Sequence, residues 1–188
     1  METYFEGDYT FSEAHVKEMY GYYAFGTPLN KGLLILVALL LPLQIYTLCA
    51  WGVSADRIST LLMLLFTPAV IGYKYVLGVK RALARNRESY GDQQVSVHMS
   101  VTGENVHFHS CTGTEGQLEF ASFKEMVITK NLIILRTKAR QHIVFEKARF
   151  TKGTWEALVK YLKDKGLKMK KWPKGLADYK EAGQPGGE

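Results

Sequence analysis

Two apolar stretches, residues 32–50 and 58–79, are separated only by the short polar segment Trp51-Gly52-Val53-Ser54-Ala55-Asp56-Arg57. From Leu33 to Ala50 there is no charge, and Gln44 is the one strongly polar side chain. At about 1.5 Å of rise per residue, roughly 20 such residues cross the ~30 Å hydrocarbon core of a bilayer. Residues 58–73 are also free of charge. Lys74 follows between Tyr73 and Tyr75, where an aromatic belt would lie, and its stem can snorkel to the headgroups. A soluble core helix of this length carries a polar stripe, and residues 32–50 carry none. So short a connection folds the two stretches into an antiparallel helical hairpin with both chain ends on one side. Several acids precede the first stretch, which is not the n-region of a cleaved signal peptide.

Lysine and arginine set the side. Lys17 and Lys31 precede the first span, and Lys74, Lys80, Arg81, Arg85 and Arg87 follow or end the second. The loop has Arg57 alone. Positive charge is retained in the cytoplasm, so both termini are expected there, in a multi-pass protein of the bacterial inner membrane. Pro42 and Pro68 each remove an intrahelical hydrogen bond near mid-span, which membrane helices tolerate. The centre of each span lacks Asp, Glu, Arg and His, which argues against a proton relay or ion path.

With 188 residues and about 50 in the bilayer, one small globular domain remains. The net charge of +6 is uneven: the opening segment is acidic, whereas residues 80–92 and 160–174 are basic and suited to an anionic leaflet. No nucleic-acid-binding motif accompanies that charge. Cys49 and Cys111 lie in different regions and are not expected to pair.

Residues 2–11 hold Tyr4, Phe5, Tyr9 and Phe11 around a Gly7-Asp8 turn signal, suggesting short strands or a tight hairpin. Thr10-Phe11-Ser12-Glu13 reads as a capping box opening a helix that stops near Gly26-Thr27-Pro28. Residues 81–90 continue the second span and end at Gly91-Asp92. Then the period becomes that of strands. Val95, Val97, Met99 and Val101 alternate with polar residues, and Val106 and Phe108 follow after the turn at Thr102-Gly103-Glu104-Asn105. Further runs cover 117–121, 125–129, 132–137 and 141–145. Residues 151–163 form a closing helix with Trp155, Leu158, Val159 and Leu162 on one face.

The expected fold is therefore an α+β membrane protein: a two-helix transmembrane hairpin plus a cytoplasmic pleckstrin-homology-like β-sandwich capped by a C-terminal helix. Its segments are 1–30 (strand and amphipathic helix), 31–79 (hairpin), 80–92 (basic linker), 93–166 (sandwich) and 167–188 (a basic, then disordered tail). In that tail Trp172, Lys168, Lys170, Lys171 and Lys174 can reach headgroups, although a solvated tail is the expectation.

The opening Tyr9-Thr-Phe-Ser-Glu-Ala-His15, the two-span hairpin, Val101-Thr-Gly-Glu-Asn-Val106, and Ile143-Val-Phe-Glu-Lys-Ala-Arg-Phe150 before the Trp155 helix together resemble the YcxB-like family of small bacterial membrane proteins. The resemblance covers about Tyr9 to Gly166. It implies a membrane-anchored domain of pleckstrin-homology-like fold and brings no catalytic residues with it. Phe123 stands where the family often has tryptophan, and Glu146-Lys147 where it often has Pro-Lys.

One constellation bears on chemistry. In the register above His98 faces His109, with His107 and Cys111 on the same strand face. Imidazoles and a thiol are transition-metal ligands, yet a flat strand face seldom closes a tetrahedron without a loop ligand, and a solvated polar face is the expectation. No Gly-x-Ser-x-Gly elbow and no phosphate-cradling Gly-rich loop is present. The expected function is a non-enzymatic, cofactor-free adaptor: it contacts the lipid bilayer and an unidentified cytoplasmic protein partner, and no nucleic acid. The alternative is a metal-binding or metal-sensing membrane protein.

Overall fold

A computed structural model describes residues 2–91 and 93–169. Its chain divides into two units, one made of residues up to His15 together with those beyond Gly91, the other of Val16–Gly91. The expectations for Lys170, Lys171, Trp172, Lys174 and the Gly/Pro-rich end fall outside the described residues.

The first unit is a two-sheet sandwich. Strands β1 (Thr3–Thr10), β2 (Ser96–Thr102), β3 (Asn105–Ser110), β4 (Glu115–Glu119) and β8 (Phe150–Lys152) form one sheet, ordered β4-β3-β2-β1-β8. Strands β5 (Phe123–Ile128), β6 (Leu132–Thr137) and β7 (His142–Glu146) form the other, ordered β5-β6-β7. All pairings between these strands are antiparallel.

The opening aromatic segment is not a hairpin. It is the single strand β1, lying between β2 and β8, and Gly7-Asp8 is not a turn. Gly7 stands opposite Met99 on one side and Phe150 on the other. A Cβ there would sit 3.3 Å from the Arg149 carbonyl oxygen, so the glycine marks close backbone approach. The globular unit consequently extends beyond residues 93–166 and includes β1. It has eight strands where the sequence showed about six. Besides β1, the run expected at 117–121 is β4 at Glu115–Glu119, and β8 follows a short 3₁₀ turn at Lys147–Arg149.

Inward-facing side chains make one core. Met99, Val101, Val106, Met126, Ile133, Leu135, Phe145, Leu158 and Leu162 are essentially inaccessible, while Val97, Phe108 and Trp155 are only partly buried. Helix α4 (Trp155–Asp164) closes one end, four residues later than the sequence suggested. Its N-cap is Thr154, whose hydroxyl accepts from the Ala157 amide. Gly166, at φ 87°, ends the turn after it, and the chain runs back to β5, where the Met126 amide donates to the Lys168 carbonyl at 2.8 Å.

In the second unit, α1 (Glu13–Gly21) passes through a π-helical turn at Tyr22–Gly26 into α2 (Pro28–Trp51). Ser12, not Thr10, caps α1: its hydroxyl accepts from the His15 amide. Thr27 caps α2 with Pro28 in the first turn, and the Asn30 side-chain Nδ2 ties the corner by donating to the Ala24 carbonyl at 2.7 Å. Helix α3 runs from Ala55 through Tyr90 without a break, so the basic linker is its last three turns. Pro42 and Pro68 sit inside continuous helices. Both α2 and α3 are long and apolar enough to cross a membrane, with mean hydropathies of 2.4 and 1.6 over their most apolar windows. None of that window in α2 is buried, and 11% of it in α3. Leu39, Met63 and Phe66 are each more than 60% exposed, unlike side chains of a core helix.

Candidate functional site

Strand register carries four titratable side chains in one row across the larger sheet. Asp8 pairs with His98, His98 with His109, and His109 with Glu115. The His98 Nδ1 is 2.7 Å from Asp8 Oδ1, and His109 Nδ1 is 3.6 Å from Glu115 Oε2. His107 lies one row further on, opposite Ser100 and Gln117. His98, His107, His109 and Glu115 line an open depression of about 430 Å³.

The expected pairing of His98 with His109 is present, but the wider cluster is not assembled. Each of those imidazoles turns to its own carboxylate. Cys111 lies beyond the end of β3, in the turn, and its sulfur accepts from the Ser96 amide at 3.3 Å. The backbone hydrogen bond from Ser96 lowers this thiol below its ordinary pKa. Among the described residues, no three His, Cys, Asp or Glu side chains are grouped to hold a metal ion. The candidates His98, His107, His109 and Cys111 therefore do not form a ligand set in this structure.

A second concavity was not read from the sequence. At the end of the sandwich away from α4, the sheets part between β1, β2 and β3 on one side and β7 on the other. The mouth is about 370 Å³, lined by Tyr9, Val97, Met99, Phe108, Leu118 and the Gln141–Val144 edge. Phe108 leans over Gly116, where a Cβ would meet its ring at 2.6 Å, so a small residue in β4 makes room for the aromatic ring. Alternation marked Val97, Met99 and Phe108 as inward-facing. It did not show that they fall where the sheets diverge. Burial, reinforced by the nearby Glu146 carboxylate, pushes the Tyr9 phenol up to about 12.

Beside the mouth, Glu125, Arg136 and His142 pair across β5, β6 and β7. Glu125 is 4% exposed and accepts from Arg136 Nη1 at 3.0 Å. Burial, aided by Arg136, holds the His142 imidazole below its usual pKa. The turn leading into β7 contains Arg140 at φ 65°, the only non-glycine residue in the left-handed region among those described.

A polar knot ties the end of β1 to the turn before β8 within the sandwich unit. The Arg149 guanidinium donates to Thr10 Oγ1 at 2.8 Å and lies 3.3 Å from Glu146. His15 Nδ1 is 2.9 Å from the Thr10 carbonyl, and its Nε2 is 3.9 Å from Glu146. The returning chain is tied to the departing one, since the Phe11 amide donates to the Val95 carbonyl at 2.9 Å. These groups all belong to the sandwich unit and expose no reacting atom. Compared with protein-family models, curated proteins and solved structures, the chain matches none.

Proposed function

We propose that this protein is a membrane-anchored binding module of the YcxB-like kind, whose pleckstrin-homology-like sandwich engages a protein partner at the cytoplasmic face of the inner membrane and performs no catalysis. The observation that carries the reading is the site of insertion. The apolar hairpin interrupts the sandwich between its first two strands, β1 and β2, which are register partners. The sandwich is thereby tied to the hairpin by two chain crossings, as suits a domain held at a bilayer. The strand order, a four-strand meander, then three strands, then the short β8 returning beside β1, then a helix over one end, supports the pleckstrin-homology-like description.

The apolar surface of α2 and α3 is stabilised by hydrocarbon, not water. The basic residues on the terminal side favour a cytoplasmic sandwich. In the loop, Arg57 Nη1 donates to the Trp51 and Gly52 carbonyls at 2.6 Å, so this lone cation complements the C-terminal dipole of α2. Among the described residues strand β4 is a sheet edge, which can accept a partner strand through main-chain hydrogen bonds.

Two experiments test the reading. In a Cys49→Ala/Cys111→Ser background, a membrane-impermeant maleimide applied to intact cells or spheroplasts is expected to label Ser54→Cys, and Ser100→Cys only after lysis. The reverse pattern overturns the cytoplasmic assignment. A photoreactive residue replacing exposed Gln117 on β4 is expected to give a discrete protein adduct in native membranes; capture of lipid alone contradicts a protein partner on that edge.

A further inference from the structure

The mouth of the sandwich has a character that the adaptor reading does not use. Its walls are Val97, Met99, Phe108, Leu118 and Ile143, with Tyr9 at the side, and no acidic residue lines it. Its volume of about 370 Å³ lies in the range of small-molecule sites, and openings of β-barrels are a common place for them. Polar groups gather at one lip, where Gln141 and His142 enter β7.

That lip also carries the strained residue. In the turn from β6 to β7, the Arg140 amide donates to the Thr137 carbonyl and the Gln141 amide to Thr137 Oγ1. The turn needs a left-handed residue at position 140, and glycine would satisfy it without cost. An arginine stands there instead, exposed, with exposed Lys138 two positions before it. A side chain kept in an unfavourable backbone conformation points to a use for that side chain. The result is an apolar slot with two exposed cations in the turn that leads into it.

We propose that this mouth binds a fatty-acid carboxylate, with the acyl chain lying among Val97, Met99, Phe108 and Leu118 and the headgroup held by Arg140. Charge complementarity selects the anion, and the guanidinium fork matches a carboxylate bidentately. One acyl chain suits the single slot. The binding rests on the sandwich alone; only the supply of ligand from a bilayer rests on the membrane reading.

The full chain, reconstituted in nanodiscs of zwitterionic lipid, is photolabelled with a diazirine-bearing fatty acid, and the adducts are mapped by mass spectrometry. Adducts are expected on peptides containing Phe108, Leu118 and residues 141–144, displaced by dodecanoate and not by its methyl ester. Arg140→Gly is expected to melt no lower than the parent, since glycine suits the turn, while labelling of the mouth falls by about tenfold, as loss of a charge-assisted bond implies. Arg140→Lys should retain most of it. The proposal is overturned by labelling confined to α2 and α3, by equal displacement with the ester, or by labelling that Arg140→Gly leaves unchanged. Crosslinks from the mouth to residues 170–188 or to a second copy, in place of the fatty acid, overturn it as well. Inverted topology in the maleimide experiment would leave these readouts intact, so the two readings fail separately.

Discussion

The His98 Nδ1 lies 2.7 Å from Asp8 Oδ1, although the two residues are 90 positions apart in sequence. Between them runs the whole apolar hairpin. The pair sits in a β1–β2 ladder that extends from Thr3↔Thr102 to Thr10↔Ser96. Without β1, strand β2 loses one of its two neighbours, β8 loses its one sheet partner among the described residues, and Phe5 leaves the core.

A fragment beginning at residue 93 is therefore expected to aggregate. Because the Phe11 amide already bonds to the Val95 carbonyl, the two crossings lie close enough for a short bridge. Replacing residues 16–91 by a short Gly/Ser linker should give a soluble, cooperatively unfolding domain, since loop-closure entropy grows only slowly with length. Far-UV circular dichroism with urea titration checks this. Cooperative folding of the fragment without β1 would contradict it.

Helix α4 gives a ranking of core substitutions. Leu158 is fully buried, whereas Trp155 is partly exposed, with the Lys147 ammonium 4.4 Å above its ring. Leu158→Ala is expected to cost about 2–5 kcal/mol. Although tryptophan is the larger side chain, Trp155→Ala should cost less, because its ring retains solvent contact and no sealed cavity forms. Chemical denaturation of the two variants decides the order.

These particulars show what the sequence could disclose. Unbroken apolar runs identify α2 and α3 because nothing but length and the absence of charge is needed. Alternation identifies β2 and β3 down to the opposition of His98 and His109. Strand β1 was misread because Gly7-Asp8 is a local turn signal, whereas the glycine actually answers to the distant Arg149 carbonyl. The mouth escaped for a related reason. Periodicity says which way Val97 and Phe108 point, but the divergence of the sheets depends on β7, far along the chain. Arg140 gave no signal, since its turn type appears only in the backbone.

Metal content tests the histidine row. Imidazoles that ligate a metal commonly turn their second nitrogen to a carboxylate, and His98 and His109 do so. No third ligand joins them among the described residues. Purified protein in mild detergent is expected to carry far less than one zinc per chain by elemental analysis. Near-stoichiometric zinc, lost in His107→Ala/His109→Ala, would establish a metal centre.

Tyr9 supplies a pH dependence whose sign is fixed. Its phenol titrates near 12 in the folded protein, against an ordinary value of 10.0. The folded state thus holds the proton more tightly than the unfolded chain. The resulting stabilisation is complete below pH about 10 and is lost as pH rises towards about 12. Two pKa steps correspond to about 2–3 kcal/mol at most, reduced because the ring keeps some solvent contact. Tyr9→Phe removes the titrating group and keeps the ring. Measured in the full chain by denaturant titration followed through near-UV circular dichroism, its stability should decline less steeply across that window than the parent's, with the two slopes equal below it. Equal slopes throughout would mean that the Tyr9 hydroxyl reaches solvent and that the mouth is open down to β1.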